Sequence, residues 1–274
     1  MYESYWELER KPFGSGCETE LYYPGEAHQG TLLKLRYAVE SRHGAALVTG
    51  HSGTGKTLIA KLLAERVGTE YKPWVHLTFP QMPTANLLAY LAHELQAPGT
   101  SIGREPSIDE SVRVVQTQLT ENAKAGGHAT IVVDEAHLLD GTRTFEALRL
   151  LLNFEHDGRP TCTLLFVGQP ALLPMLERMP QLEQRLVVKC LLRALTVDET
   201  HAYVQHRLQT AGARRQIFEP ESLDALRAVS QGIPRDINRL CDLALLIAFA
   251  DGDTRITPER IEAVAAELVN VADD

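Results

Sequence analysis

Gly50-His51-Ser52-Gly53-Thr54-Gly55-Lys56-Thr57 places a lysine and a hydroxyl directly after a glycine-rich stretch. The spacing G-x-x-x-x-G-K-T is that of a phosphate-binding loop. Its chemistry follows from the residue types. Glycines let the backbone wrap closely around a polyphosphate and turn N–H groups inward. A helix that starts at the lysine aims its positive end at the same anion. Lys56 is expected to reach the β- and γ-phosphates of ATP, and the Thr57 hydroxyl to ligate Mg²⁺. The expected nucleotide contacts run from Gly50 through Leu58.

A second group of residues could complete that chemistry. Thr130-Ile131-Val132-Val133-Asp134-Glu135-Ala136-His137 is an apolar strand that ends in two adjacent acids. Solvated acids at a strand end would be the ordinary reading of this pair alone. Beside a phosphate loop, Asp134 is expected to join Thr57 in the Mg²⁺ shell. Glu135 is expected to turn toward the γ-phosphate, where a carboxylate can orient and deprotonate the attacking water. His137 completes a D-E-A-H string, but 274 residues leave no room for a second helicase core, so a local hydrogen-bonding role is expected. Gln169 follows the strand Leu164 to Gly168 and could sense the γ-phosphate beside Glu135. Arg235, in Gly232-Ile233-Pro234-Arg235, could reach the phosphates from a helix start, so that hydrolysis moves one domain against the other. A surface arginine is the plainer alternative. Arg185 could serve as an arginine finger toward a neighbouring subunit; the alternative is an ion pair with Glu183 or Glu177.

These side chains need a framework. Ala45 to Thr49 reads as a buried strand, and Leu58, Ile59, Leu62, Leu63 and Val67 follow at helical spacing. Pro73 to Thr78, Ala129 to Val133, Cys162 to Val167 and Leu186 to Cys190 read as further strands. Helices are expected over Thr84 to Gln96, from a Ser107–Glu110 capping box to about Lys124, and over Thr144 to Phe154. Pro98 to Pro106 reads as a loop. The alternation favours a parallel sheet covered by helices. After a boundary near 193–195 the pattern is helical only. One helix opens at a Thr196–Glu199 capping box, others cover Pro220 to Val229 and Pro234 to Ala250, and a last one begins at Pro258.

Composition adds bounds. Charged residues sum to a net −9, which disfavours a broad nucleic-acid-coating surface. Met1 to Lys11 has no apolar core of a secretory signal. Leu243 to Ala250 is far too short to span a membrane. A cytoplasmic protein is expected, with peripheral attachment to the inner membrane open through a partner. Cys17, Cys162, Cys190 and Cys241 lack metal or disulfide spacing and are expected to be reduced, in or near the core.

Phosphate loop, Asp-Glu strand, polar sensor, finger arginine and G-x-P-R together resemble an AAA+ ATPase. More narrowly, the chain resembles the general secretion pathway protein A (ExeA-type) family. The segments that carry this are Met1-Tyr2 with Trp6 and Lys11-Pro12-Phe13, Leu148 to Glu155, Val167-Gly168-Gln169-Pro170, Gln181 to Arg185, and His206-Arg207-Leu208. The resemblance implies an α/β P-loop NTPase domain over residues 1–194, with an N-terminal linker of about 1–30, and a small all-helical lid over 195–274. It implies a Mg²⁺-dependent ATPase that works as a homo-oligomer with nucleotide at subunit interfaces, and it places Tyr23 and His28 near adenine. From their sequence context alone, those two are ordinary loop residues. It also implies a protein client in secretion or envelope assembly; longer family members add a transmembrane helix and a peptidoglycan-binding domain. Two other functions stay open. One is a DNA-associated regulator of the transposition-ATPase type, for which Lys34, Arg36, Arg42, Arg214 and Arg215 are the candidate basic residues. The other is a nucleotide switch that barely hydrolyses ATP, against which Glu135 speaks.

Overall fold

The computed structural model describes residues 1–14, 16–96 and 106–270. Apart from Pro106, the loop expected over Pro98 to Pro106 lies outside the described residues. The chain begins with α1 (Glu26–Glu40), β1 (Ala45–Gly50), α2 (Lys56–Arg66), β2 (Trp74–Leu77), α3 (Thr84–Leu95), α4 (Ile108–Lys124) and β3 (Ala129–Val133). It continues through α5 (Gly141–Leu151), a hairpin of β4 (Glu155–His156) and β5 (Arg159–Pro160), β6 (Cys162–Gly168), α6 (Leu172–Glu177), α7 (Pro180–Glu183) and β7 (Leu186–Leu192). Four helices follow: α8 (Val197–Thr210), α9 (Pro220–Ser230), α10 (Pro234–Asp251) and α11 (Pro258–Asn270).

The main sheet is parallel, in the order β2-β3-β6-β1-β7. Every residue of β1, β3 and β6 is buried. That is why these three strands read as unbroken apolar runs: helices cover both faces of a parallel sheet. β7 lies at an edge and alternates exposed with more buried positions over Leu186 to Leu192. The sheet core includes Leu47, Leu87, Leu91, Ile131, Phe145, Leu148 and Phe166.

The chain divides into two compact units. One holds Gly30–Gly50 and Ile59–Leu192, and so contains the sheet. The other holds Met1–Gln29, His51–Leu58 and the chain from Arg193 onward. The helical unit has its own core, with Val204, Leu226, Ile237, Cys241, Ala244 and Ile261.

The segment read as an N-terminal linker contributes to that helical core. Tyr2, Trp6 and Phe13 are buried in it. The Trp6 indole N–H donates to the Leu245 carbonyl at 3.1 Å, and the Tyr5 hydroxyl to the Asp253 carbonyl at 2.8 Å. The Tyr2 hydroxyl bonds Asp242, and Arg207 Nε donates to the Pro12 carbonyl at 2.6 Å. Aromatic side chains carry large apolar areas, and each polar tip here finds a partner.

Both capping boxes form as their spacing requires. Glu110 N–H donates to Ser107 Oγ at 3.2 Å, and Ser107 N–H returns to the Glu110 carboxylate at 2.8 Å. Thr196 and Glu199 repeat the pair at 3.2 and 2.9 Å. Several features differ from expectation. α1, α6, α7 and the β4–β5 hairpin had no counterpart in the sequence reading, and α5 starts and ends three residues earlier than the expected Thr144 to Phe154. Cys162, Cys190 and Cys241 are buried, but Cys17 is exposed, because its Gly-rich surroundings supply no apolar side chains to cover it. Among the described residues, no helix is long and apolar enough to cross a membrane.

Candidate functional site

β1 delivers the chain to residues 51–55, and α2 starts at Lys56. Two glycines shape the turn. Gly53 has φ +80° and Gly55 has φ +94°, conformations that L side chains rarely adopt. A side chain would also collide at Gly53 and be crowded at Gly55. A Cβ on Gly53 would lie 2.8 Å from Arg235 Cβ and 2.9 Å from Ile233 Cγ2, and one on Gly55 would lie 3.2 Å from His28 Nε2. Inside the loop, the Thr54 hydroxyl and Lys56 Nζ both donate to the His51 carbonyl, at 2.8 and 2.9 Å. Lys56 and Thr54 are buried, His51 and Ser52 exposed, and Thr57 and Leu58 half-buried.

Residues far away in sequence hold this loop. Arg235 lies in the first turn of α10, after Pro234. Its backbone N–H donates to the Gly53 carbonyl at 3.2 Å, and its guanidinium Nη1 to Ser52 Oγ at 2.9 Å. The turn that feeds α10 is tight. Gly232 has φ +74°, and a Cβ there would come within 2.2 Å of the Leu195 carbonyl oxygen. His28, in the first turn of α1, is only 6% exposed and has Nε2 2.9 Å from the Thr54 carbonyl. It is therefore a helical residue rather than a loop residue. Burial holds its imidazole below the usual histidine range, opposed by the Thr54 carbonyl and Glu199 and aided by Arg193. Tyr23 stays in the coil before α1. Its ring meets Tyr203 edge-on at 5.8 Å and His206 at 5.7 Å, and burial raises its pKa.

The acidic pair sits at the carboxyl end of β3. Asp134 is 4% exposed and its N–H bonds the Leu77 carbonyl, at the end of neighbouring β2, at 2.9 Å. Its Oδ1 accepts the Glu135 N–H at 2.9 Å, and its Oδ2 lies 3.4 Å from His76 Nε2. Glu135 departs from strand geometry altogether, with φ +48° and ψ +39°. A left-handed glutamate is uncommon and costs on the order of 1 kcal/mol. The kink aims its side chain differently from strand alternation. The Gln169 N–H donates to His137 Nδ1 at 3.4 Å, so that nitrogen is an acceptor. Glu135 Oε2 lies 3.5 Å from the same nitrogen and is buried without a hydrogen-bond partner. His137 is thus a local packing and bonding residue; a Cβ on Gly168 would lie 3.4 Å from its Nδ1.

Strand order sets where the polar groups stand. β6 lies between β3 and β1, so Gln169 follows a strand flanked by the one ending at Asp134 and the one ending at Gly50. Arg185 is at the opposite, amino end of the strands. It immediately precedes β7, and its carbonyl accepts from the N–H of Ala45, the first residue of β1. It is exposed, and Nη2 donates to Asn153 Oδ1 at 3.3 Å. Glu183, one of its suggested ion-pair partners, instead binds Lys189 at 2.6 Å.

The structure thus brings His28 and Arg235 to the loop, and Asp134, Glu135, His137 and Gln169 to the carboxyl end of the strands. It sets Arg185 at their amino end. His76 and Asn153 went unnoticed in the sequence, since neither belongs to a spacing pattern. Of the basic residues considered for DNA, Arg36 pairs with Glu40, Arg42 bonds the Gly126 carbonyl, and Arg215 stacks over Trp6 at 5.3 Å.

Comparison with known proteins agrees with this geometry. A family model described as an AAA domain matches residues 39–176, and the chain belongs to that family, the AAA+ P-loop ATPases. It is 34% identical over 277 aligned positions to the general secretion pathway protein A of Aeromonas hydrophila. That alignment covers all of this chain, which spans about half the length of the relative. Among solved structures, the Aeropyrum pernix ORC2 protein superposes with a TM-score of 0.70 at 18% identity, over 94% of this chain and 72% of that one. Cdc6p from Pyrobaculum aerophilum gives 0.70 at 18% identity, over 91% and 71%. The Thermotoga maritima RuvB Holliday junction branch migration motor gives 0.59 at 18% identity, over 88% and 69%. At such identities these likenesses speak for the fold.

Proposed function

We propose that the protein is a Mg²⁺-dependent ATPase that oligomerises and couples ATP turnover to assembly or remodelling of a secretion or cell-envelope complex. The observation that carries the enzymatic part is Glu135. It is a left-handed residue following an Asp at a strand end, with a buried carboxylate oxygen that has no hydrogen-bond partner. A nucleotide-binding switch has no use for such a strained base.

The residues fit the ligands. Gly53 leaves no room for a side chain, and Gly55 holds a left-handed φ that side chains rarely adopt, where the backbone must wrap phosphate. Thr57 and Asp134 offer the hard oxygen donors that Mg²⁺ takes alongside phosphate oxygens. When bound, the ion would neutralise charge developing on the phosphates. Gly50 through Leu58 hold the polyphosphate, with Lys56 as its point charge. Glu135 orients a water and accepts its proton as that water attacks the γ-phosphorus and the bond to the β,γ-bridging oxygen breaks, releasing ADP. Gln169 monitors the γ-phosphate from the neighbouring strand end. Arg235 exchanges its Ser52 contact for a phosphate oxygen, so nucleotide state is relayed to α10. These roles treat residues 1–194 as the nucleotide-binding domain and 195–274 as the lid.

Arg185 acts on a neighbouring subunit in this reading. Its place beside Ala45, at the amino end of β1, is one strand length from Gly50, about 17 Å for a six-residue strand, which supports action across an interface. The secretion role comes by analogy with the Aeromonas relative; a cytoplasmic location, with attachment to the inner membrane through a partner, is part of the same reading. The client is an unidentified protein. A DNA-associated regulator is the second reading, favoured by the fold shared with the DNA-junction motor RuvB. Salt-dependent anisotropy changes with duplex DNA would promote it.

Phosphate release and nucleotide binding test the core proposal. Glu135→Gln should retain ATP and lose turnover by about a hundredfold or more, while Lys56→Ala should lose binding. Hydrolysis at the parent rate by Glu135→Gln would remove the base assignment. Mixing Arg185→Ala with Glu135→Gln subunits tests the finger: interfaces that join an intact Glu135 to a neighbour's intact Arg185 should raise turnover above the sum of the two variants alone, and a plain sum would show that no arginine crosses the interface.

A further inference from the structure

The Thr54 carbonyl belongs to the peptide group that also carries the Gly55 N–H. A trans peptide is planar, and its C=O and N–H point in opposite directions. Whatever fixes the carbonyl therefore aims the N–H. Here the carbonyl faces His28 Nε2 at 2.9 Å. A carbonyl can only accept, so Nε2 carries the hydrogen. The other ring nitrogen, Nδ1, is buried and has no hydrogen-bond partner. The imidazole is thus neutral, in one tautomer, with its only N–H committed to the loop. Burial, which holds the imidazole below its usual pKa, keeps it so.

Two further observations bear on how closely the ring is fitted. His28 is 6% exposed in the first turn of α1, so its position is set by packing. A Cβ on Gly55 would lie 3.2 Å from Nε2, so the ring lies directly against the peptide it bonds. The neighbouring peptide is held separately, by the Arg235 N–H on the Gly53 carbonyl.

We propose that His28 is a positioning residue of the phosphate-binding loop. Its Nε2–H pins the Thr54 carbonyl and thereby turns the Gly55 N–H toward the bound phosphates. This rests on reading residues 50–57 as the nucleotide site. It differs from the adenine contact that family resemblance implies for His28, because the ring acts on the loop backbone and through it on the polyphosphate.

Calorimetry with two probes, ADP and inorganic pyrophosphate, each with Mg²⁺, separates the possibilities. His28→Leu fills the space without a donor; His28→Gln places an amide N–H near the former Nε2. His28→Leu should weaken both probes by about tenfold, the worth of one lost hydrogen bond. His28→Gln should bring both back to within about threefold of the parent. With ATP, KM should rise in His28→Leu while kcat is kept. In the nucleotide-free parent, ¹⁵N NMR of the His28 ring should show hydrogen on Nε2 and none on Nδ1. Parent-like affinity in His28→Leu overturns the inference. So does a loss confined to ADP with pyrophosphate unchanged, which would assign the ring to the base. A parent that binds neither probe overturns the reading of the loop itself, and this inference with it.

Discussion

Glu135 and Gly53 show how single positions can be bound to one conformation. Glu135 accepts a left-handed backbone that few glutamates adopt, and the gain is a carboxylate turned out of strand alternation. Gly53 is fixed twice, by φ +80° and by Arg235 and Ile233 against it. Gly53→Ala should therefore weaken ADP binding at least about tenfold and destabilise the fold by about 1–3 kcal/mol. Calorimetry and thermal melts measure the two effects. Unchanged values in both would mean that the loop relaxes freely away from α10. His128 supplies a different kind of prediction. It is 1% exposed, with Nε2 2.8 Å from Thr163 Oγ1. Burial and the Arg42 charge push its pKa from 6.5 down to about 4. The unfolded chain takes up that proton more readily than the folded one. The stability contribution is therefore complete above about pH 6.5 and is lost as pH falls toward 4. The slope in that window is at most about 1.4 kcal/mol per pH unit. Urea titrations between these limits should show the slope in the parent and its reduction in His128→Gln.

Helices and strands were legible where one periodicity dominated. α4 and α8 announce themselves by capping boxes, and both boxes form. Thr196→Ala should cost about 1 kcal/mol by removing the side-chain acceptor of the Glu199 N–H. A shift in urea midpoint at constant slope is the expected signature, and a parent-like midpoint would mean water replaces the cap at no cost. α1 was missed for a physical reason. It contains Gly30, and it leaves Leu33 and Tyr37 exposed 70% and 56%, so apolar residues occupy two faces and blur the helical stripe. The β4–β5 hairpin carried a readable signal that went unused. Asp157-Gly158, both at positive φ, is a favoured two-residue hairpin turn, but the strands are only two residues each.

Across the full chain, the sheet-containing unit and the helical unit each close their own core, and the helical one recruits the N-terminus to do so. Trp6 bonds a carbonyl 239 residues away. The phosphate loop itself groups with the helical unit through His28 and Arg235. Nucleotide-dependent motion of that unit, as proposed above, would therefore begin at the loop backbone and needs no relay through the sheet.

From its residues alone, the chain declared a phosphate loop, an acidic strand end, a parallel sheet and a helical C-terminal part. Each of these rests on local chemistry: glycine dihedrals, buried strands, caps and fixed spacings act over a few residues. The partners of that machinery were decided only in three dimensions. His28 beneath Thr54 and Trp6 among the C-terminal helices carry no local mark, and the marks on Arg235 and Arg185 named neither the Gly53 carbonyl nor the place beside Ala45. Their positions follow from strand order and side-chain packing, which join residues that no spacing rule connects.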